Sequence, residues 1–120
     1  MYLILFILHN PEKVSEVLDA WEEVGVSGVT ILASSGLGRV RMMDRKGLRD
    51  DLPLIPSLEA LFNHEEYYSR TLFSIVQGEQ MADKLAEVTQ KVVGDLSRPD
   101  TGLLVVLPVV KAYGINKQGA

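Results

Sequence analysis

Four continuous apolar runs divide the chain and predict four β-strands, at residues 2–8, 28–33, 70–77 and 102–110. Their Ile, Leu, Val and Phe side chains favour a pleated and largely buried surface. The runs lack a clean alternation of apolar and polar residues, so both faces of the sheet need cover. We therefore expect copies of the chain to associate through the face that helices leave open. Pro108 lacks a backbone N–H, so the last strand should end, or lie at a sheet edge, at that residue.

Two amphipathic segments between these runs predict two helices. The first covers residues 12–24, where Asn10 is a good N-cap, Pro11 suits the first turn and Gly25 can end the helix. Its apolar stripe repeats every three or four residues and consists of Val14, Val17, Leu18, Trp21 and Val24. The second helix lies within residues 78–96, and its apolar side carries Met81, Leu85, Val88 and Val92.

The resulting order is strand, helix, strand, strand, helix, strand. The two helical segments also resemble each other, since "PEKVSEVLDAWEEV" and "GEQMADKLAEVTQK" place apolar residues at matching positions. Two split βαβ units with both helices on one face of a sheet make a ferredoxin-like sandwich. The sequence therefore predicts an α+β, ferredoxin-like βαββαβ fold in one domain, residues 1–120, with a long insert between strands 2 and 3.

The connection at residues 34–69 is too long for a simple loop, which indicates a functional segment. Its part at 39–49 holds five of the twelve basic residues, namely Arg39, Arg41, Arg45, Lys46 and Arg49. Such a run forms either a solvated loop face or a patch for an anionic ligand or partner. The part at 53–68 can form a short helix capped by Ser57. Its apolar side would pack on its own assembly or dock a partner, through Leu58, Leu61 and Phe62.

Composition narrows the function classes. The formal net charge of −4 argues against a general nucleic-acid or anionic-membrane binder. The chain contains no cysteine, which excludes disulfides, thiolate metal sites and cysteine nucleophiles and fits a reducing cytoplasm. The first apolar run is too short to span a bilayer and lacks the features of a signal peptide.

Candidate chemistry is sparse. No nucleophile has a neighbouring base at motif spacing and no P-loop is present, so we do not expect an enzyme. His64 beside Glu65 and Glu66 leaves open a metal-binding or enzymatic protein of the same fold, although adjacent residues point in different directions. The turn "GLGR" after the second strand either needs glycine for backbone freedom or forms a ligand loop that includes Arg39.

In this setting the sequence resembles the PII signalling protein superfamily. Gly25, Gly28 and Thr30 match its Gly-x-x-Gly-x-Thr motif. The residues at the base of the family's long T-loop, Gly-Phe-Gly-Arg, correspond to Gly36, Leu37, Gly38 and Arg39. The stretch "SRPDTGLLVVLPV" occupies the place of the family's B-loop and final core strand. The resemblance covers residues 1–38 and 70–113.

This resemblance implies a homotrimer whose sheets face inward, which binds an adenine nucleotide between subunits and signals to a soluble or membrane target through its T-loop. The T-loop equivalent would be residues 39–69, and residues 114–120 would be a C-terminal tail. Residues that would line the phosphates are Gly36, Leu37, Gly38 and Arg39. Gly28 and Thr30 would approach the base from a neighbouring subunit, and Gly102 would be the B-loop glycine. The implied function is the sensing of a small anionic metabolite or nucleotide.

The chain departs from the family pattern at several cationic positions. Leu103 stands in place of a lysine after the B-loop glycine, and Gly114 and Asn116 stand in place of two arginines. A triphosphate needs several cations or a run of N–H donors to offset its charge. The alternative is therefore a PII-fold interaction module that has lost nucleotide binding.

Overall fold

The computed structural model describes residues 1–36 and 68–115. A turn of 3₁₀ helix, Pro11–Lys13, precedes the first α-helix. In chain order, the other elements of the described ranges are β1 (Tyr2–Leu8), α1 (Val14–Glu23), β2 (Thr30–Ser35), β3 (Tyr68–Val76), α2 (Glu79–Val93) and β4 (Gly102–Pro108). This is the predicted βαββαβ order, and the fold is α+β and ferredoxin-like. No helix of the described ranges is long and apolar enough to cross a membrane.

The four strands form one antiparallel sheet in the order β2-β3-β1-β4. β1 is central, and its Leu5 lies opposite Phe73 of β3 on one side and Val105 of β4 on the other. β2 and β4 are the edge strands among the described residues. The prediction for the last strand is therefore confirmed in both respects, since β4 is an edge strand and ends at Pro108.

The first helix begins and ends at the predicted signals. The Asn10 side chain accepts a hydrogen bond of 3.0 Å from the backbone N–H of Glu12. Pro11 then opens a 3₁₀ turn, so the regular α-helix starts at Val14 rather than at residue 12. At the other end, the N–H of Gly25 donates to the carbonyl of Glu22, which satisfies one of the last free carbonyls of the helix.

The second and third strands are each displaced from the predicted positions. β2 starts at Thr30 rather than at residue 28, because the carbonyl of Gly28 accepts a hydrogen bond from the Ser74 hydroxyl. β3 starts at Tyr68, two residues earlier than predicted, because Tyr68 and Ser69 pair with the end of β2. The last two residues of the predicted 39–69 insert therefore belong to the sheet.

The core lies between the two helices and one face of the sheet. Its centre is Trp21 of α1, which is fully buried as predicted, and its indole ring lies 6.5 Å from the ring of Phe6. The buried apolar side chains of this core are Ile4, Phe6, Leu8, Val17, Trp21, Val26, Leu72, Val76, Ala82 and Leu85. Thr89 of α2 is also fully buried, which the apolar pattern did not predict.

Candidate functional site

A cleft of about 550 Å³ lies where β2 begins and β3 ends, and it contains two of the predicted ligand residues, Gly28 and Thr30. Thr30 is the first residue of β2 and lies directly opposite Phe73 of β3. The hydrogen bond from the buried Ser74 hydroxyl to the Gly28 carbonyl ties the approach to β2 onto β3. The cleft is lined by Ser27, Gly28, Val29, Thr30, Phe73, Ser74, Ile75, Ala112, Tyr113, Gly114 and Ile115.

The segment that follows β4 provides one wall of this cleft. Its start is fixed by a hydrogen bond of 3.0 Å from the N–H of Val109 to the carbonyl of Met1. β4 and β2 are opposite edges of the sheet, so the chain must return across the end of the sheet to bring residues 112–115 beside Gly28. Tyr113 and Phe73 line the cleft but were not among the predicted site residues. The sequence "KAYGI" places an aromatic residue between two small ones, and this pattern could have indicated that the segment after β4 lines a cleft.

Among the described residues, the lining of the cleft carries no Asp, Glu, Lys, Arg or His side chain. Its polar side chains are hydroxyls, and those of Ser27 and Thr30 make no hydrogen bond with the rest of the described residues. The described lining can therefore offer hydrogen bonds and aromatic surface to a ligand, but it offers no cation to a phosphate.

Gly36 lies at the opposite end of β2 from this cleft. It borders a small cavity of about 110 Å³, together with Ile7, His9, Ser34, Ser35, Ser69 and Thr71. Three of these side chains form a hydroxyl chain, in which Thr71 donates to Ser34 at 2.8 Å and the hydroxyls of Ser34 and Ser69 lie 2.8 Å apart. Gly36 is six positions after Thr30 along the strand direction, which corresponds to about 20 Å.

Gly102 lies on β4, at the edge of the sheet opposite β2, and packs closely against β1. It begins β4 with φ +149°, and a Cβ atom there would lie 2.5 Å from the carbonyl oxygen of Ile7 and 2.8 Å from the ring of Phe6. Such contacts exclude any larger residue unless the backbone moves. The close approach of β1 and β4 therefore requires glycine at this position, whatever its role toward a ligand.

The turn before Gly102 is held by its own hydrogen bonds. The Asp95 carboxylate accepts bonds from the backbone N–H of Ser97 at 2.9 Å and from its hydroxyl at 2.8 Å. The backbone bond first, and the hydroxyl bond second, lower the pKa of Asp95 below its ordinary value. The Thr101 hydroxyl donates to the carbonyl of Arg98, whose side chain is exposed and is the cation of this turn.

Three predicted ligand residues, Leu37, Gly38 and Arg39, lie outside the described residues. The same is true of His64 and of the helix predicted within residues 53–68. In the described ranges no group of three or more His, Asp or Glu side chains could hold a metal ion. Within one chain, Gly28 and Thr30 thus lie together in the cleft, whereas Gly36 and Gly102 lie outside it.

The sheet face opposite the helices is largely apolar. Leu3, Leu5 and Ile7 of β1 alternate with the buried core residues and are only half-buried. By register, the apolar side chains of this open face are Leu3, Leu5, Ile7, Leu32, Phe73, Ile75, Leu103, Val105 and Leu107. A continuous apolar patch of this kind is typical of a surface that contacts another protein.

The fold and the sequence agree with one protein family. The family model described as nitrogen regulatory protein P-II matches residues 1–118, almost the whole chain. No curated protein gives a match to the chain. The match includes the βαββαβ elements as well as the "GLGR" sequence and the segment that lines the cleft. The chain therefore belongs to the nitrogen regulatory protein P-II family.

Proposed function

We propose that this protein is a PII-like regulator rather than an enzyme. It assembles as a trimer, senses a small anionic metabolite or nucleotide in clefts between subunits, and signals to a target protein through residues 39–69. The observation that carries this proposal is the wide separation, within one chain, of residues that match the family's ligand motifs.

The positions of these residues in the sheet account for their separation. Thr30 and Gly36 mark opposite ends of β2, about 20 Å apart. Gly102 lies on β4, three strand spacings across the sheet from β2, which is about 14 Å. One small ligand cannot contact all of these residues in a single chain. A cleft between copies lets Gly28 and Thr30 of one subunit act with Gly36 or with Gly102 of a neighbouring subunit.

The open apolar face supports association of the copies. Leu3, Leu5 and Ile7 lie in the middle of this face and Leu107 lies at its edge, so the patch extends across the sheet. Burial of the β1 and β4 part of this face against two other copies removes apolar area from water, at about 25 cal/mol per Å², and leaves Phe73 and Ile75 to the cleft. The helices then remain on the outside, and the ends of the sheets meet at the subunit boundaries.

The proposal is tested by replacing the arginine of the "GLGR" turn. Arg39→Ala should lower the affinity for AMP, ADP and ATP by at least tenfold, because it removes a cation that offsets phosphate charge. The molecular mass by light scattering should remain that of a trimer. Arg49→Ala, at the other end of the same basic run, is the matched control and should bind as the unaltered protein does. Unchanged affinity in Arg39→Ala would contradict the ligand part of the proposal.

A second function is favoured by the uncharged lining of the cleft. A PII-fold interaction module without a nucleotide ligand would need no cations there, and it would present residues 39–69 to its target at all times. This alternative predicts that the insert resists limited proteolysis in the absence of any nucleotide. Rapid cleavage within residues 40–67 that AMP or ATP suppresses would instead support the sensor.

A further inference from the structure

We infer that Tyr113 is a ligand-binding residue, whose ring stacks on the uncharged planar ring of a nucleotide-like ligand in the cleft beside Gly28 and Thr30. This inference rests on the proposed function, because it assigns one part of the proposed ligand to one part of the site. It also adds a residue that lies outside the matched motifs.

The exposure of Tyr113 is the first observation. Its side chain is 89% exposed although it lines the cleft, so almost the whole of the ring surface is available. Within the described residues its ring makes no aromatic contact. An aromatic side chain brings a large apolar surface at a low entropic cost, which makes it a good stacking partner for a planar ring.

The residues on both sides of Tyr113 also line the cleft. The segment that carries it starts at the Val109–Met1 hydrogen bond. Gly114, which follows Tyr113, has φ +94°, a backbone conformation that residues other than glycine rarely adopt. Ile115 then borders both this cleft and a second cleft beside the start of α2. The tyrosine therefore lies within a run of residues that line the cleft.

The rest of the cleft suits a planar ring. Phe73 and Ile75 of β3 lie on the same sheet face as Thr30, and both are half-buried, so they form an apolar floor. The hydroxyls of Ser27 and Thr30 can bond to polar atoms at the edge of a heterocycle. A ring placed here would contact Tyr113 on one side and the floor on the other.

The charge of the cleft determines which part of a nucleotide it accepts. The described lining holds no ionised side chain, so a polyphosphate transferred into it from water would find no partner for its charge there. This part of the cleft therefore recognises the ring and contributes nothing to the binding of phosphates.

The test is isothermal titration calorimetry of the full chain with adenosine, AMP and ATP. Tyr113→Ala should lower the affinities for adenosine and for AMP by the same factor, about tenfold or more. Both compounds contain the ring that loses its stacking partner. Tyr113→Phe keeps the ring and should restore the affinity. Val110→Ala is the matched control, since Val110 is also 89% exposed in the same segment but does not line the cleft. The ratio of ATP to AMP affinity should be the same in Tyr113→Ala and in the unaltered protein, because Tyr113 is inferred to contact the ring and not the phosphates.

Several outcomes would overturn the inference. If Tyr113→Ala binds adenosine and AMP as the unaltered protein does, Tyr113 is not a ligand-binding residue. If Tyr113→Ala changes the ratio of ATP to AMP affinity more than tenfold, Tyr113 contacts the phosphates rather than the ring. In either case a loss of AMP affinity in Arg39→Ala would still support the proposed sensor function. If none of the three compounds binds, both the inference and the nucleotide part of the proposed function fail.

Discussion

The indole Nε1 of Trp21 donates a hydrogen bond of 2.8 Å to the hydroxyl of Thr89, and both side chains are fully buried. The same hydroxyl donates to the carbonyl of Leu85 at 2.6 Å. Thr89 therefore joins the two helices through one polar contact inside an apolar core. Because the indole N–H is shielded from water, it depends on Thr89 for its hydrogen bond.

Replacement of this threonine tests the contact. Thr89→Val keeps the shape of the side chain but leaves the buried N–H of Trp21 without an acceptor, so the free energy of unfolding should fall by about 1–3 kcal/mol. Urea denaturation followed by fluorescence of Trp21, the single tryptophan of the chain, measures the loss. Thr89→Ser keeps the hydroxyl and should lose less stability than Thr89→Val. Equal losses in the two variants would show that the hydrogen bond contributes nothing.

Gly102→Ala tests whether packing alone requires glycine at the start of β4. The new methyl group would meet the Ile7 carbonyl and the Phe6 ring, so the free energy of unfolding should fall by about 1–3 kcal/mol or more. Gly94→Ala is the control, because Gly94 also has a positive φ but open space around its Cβ position. Thermal denaturation should show the larger loss for Gly102→Ala. A larger loss for Gly94→Ala would mean that backbone strain, not the clash, is decisive.

The open face can be tested with a matched pair of residues on β4. Leu107 is 44% exposed on the open face, and Val106 is 41% exposed on the helix face of the same strand. Leu107→Glu should dissociate the proposed trimer, because it buries a charge in an apolar interface. Val106→Glu should leave the assembly intact. Sedimentation velocity measures both, and a trimeric Leu107→Glu variant would contradict the proposed interface.

The turn that contains Asp95 predicts a specific pH dependence. Its pKa is lower in the folded chain than in the unfolded one, since the Ser97 N–H and hydroxyl bind the carboxylate. The stability it contributes is therefore present above the ordinary aspartate pKa of about 3.9 and is lost as the pH falls through the lowered folded value. NMR titration of the Asp95 carboxyl carbon should give a midpoint below the ordinary one.

Variants of the same turn complete this test. Ser97→Ala removes the hydroxyl bond but keeps the backbone bond, so the midpoint should rise part of the way toward the ordinary value. Thr101→Val changes a hydroxyl that bonds to Arg98 rather than to Asp95, so it should leave the titration unchanged. An ordinary midpoint in the unaltered protein would show that these bonds do not persist in solution.

Local signals in the sequence predicted the scaffold well. Asn10 and Gly25 predicted the two ends of the first helical segment, and the apolar stripe through Trp21 predicted its buried face. These predictions succeeded because caps and periodicity depend on only a few neighbouring residues. Thr89 was missed because its burial depends on a partner 68 positions away in the chain. No local pattern distinguishes a threonine that bonds to an indole in the core from one on the surface.

The site was less predictable than the scaffold. Gly28 and Thr30 were identified through a motif, but the residues opposite them come from β3 and from the segment after β4. Tyr113 reaches the cleft only because the chain returns from one edge of the sheet to the other, which depends on the strand order. Gly102 was predicted as a ligand residue, a role that nothing in the described structure tests, and its contact with β1 could not be read from the sequence.

The strand order also has a consequence for a single chain that has folded without a partner. β2 and β4 leave both sheet edges of the described chain unpaired, and they carry exposed apolar side chains, among them Ile31, Leu32 and Leu103. Edges of this kind recruit further strands from any chain nearby. Within the described residues, an isolated folded copy therefore presents two edges at which unwanted strand pairing can begin.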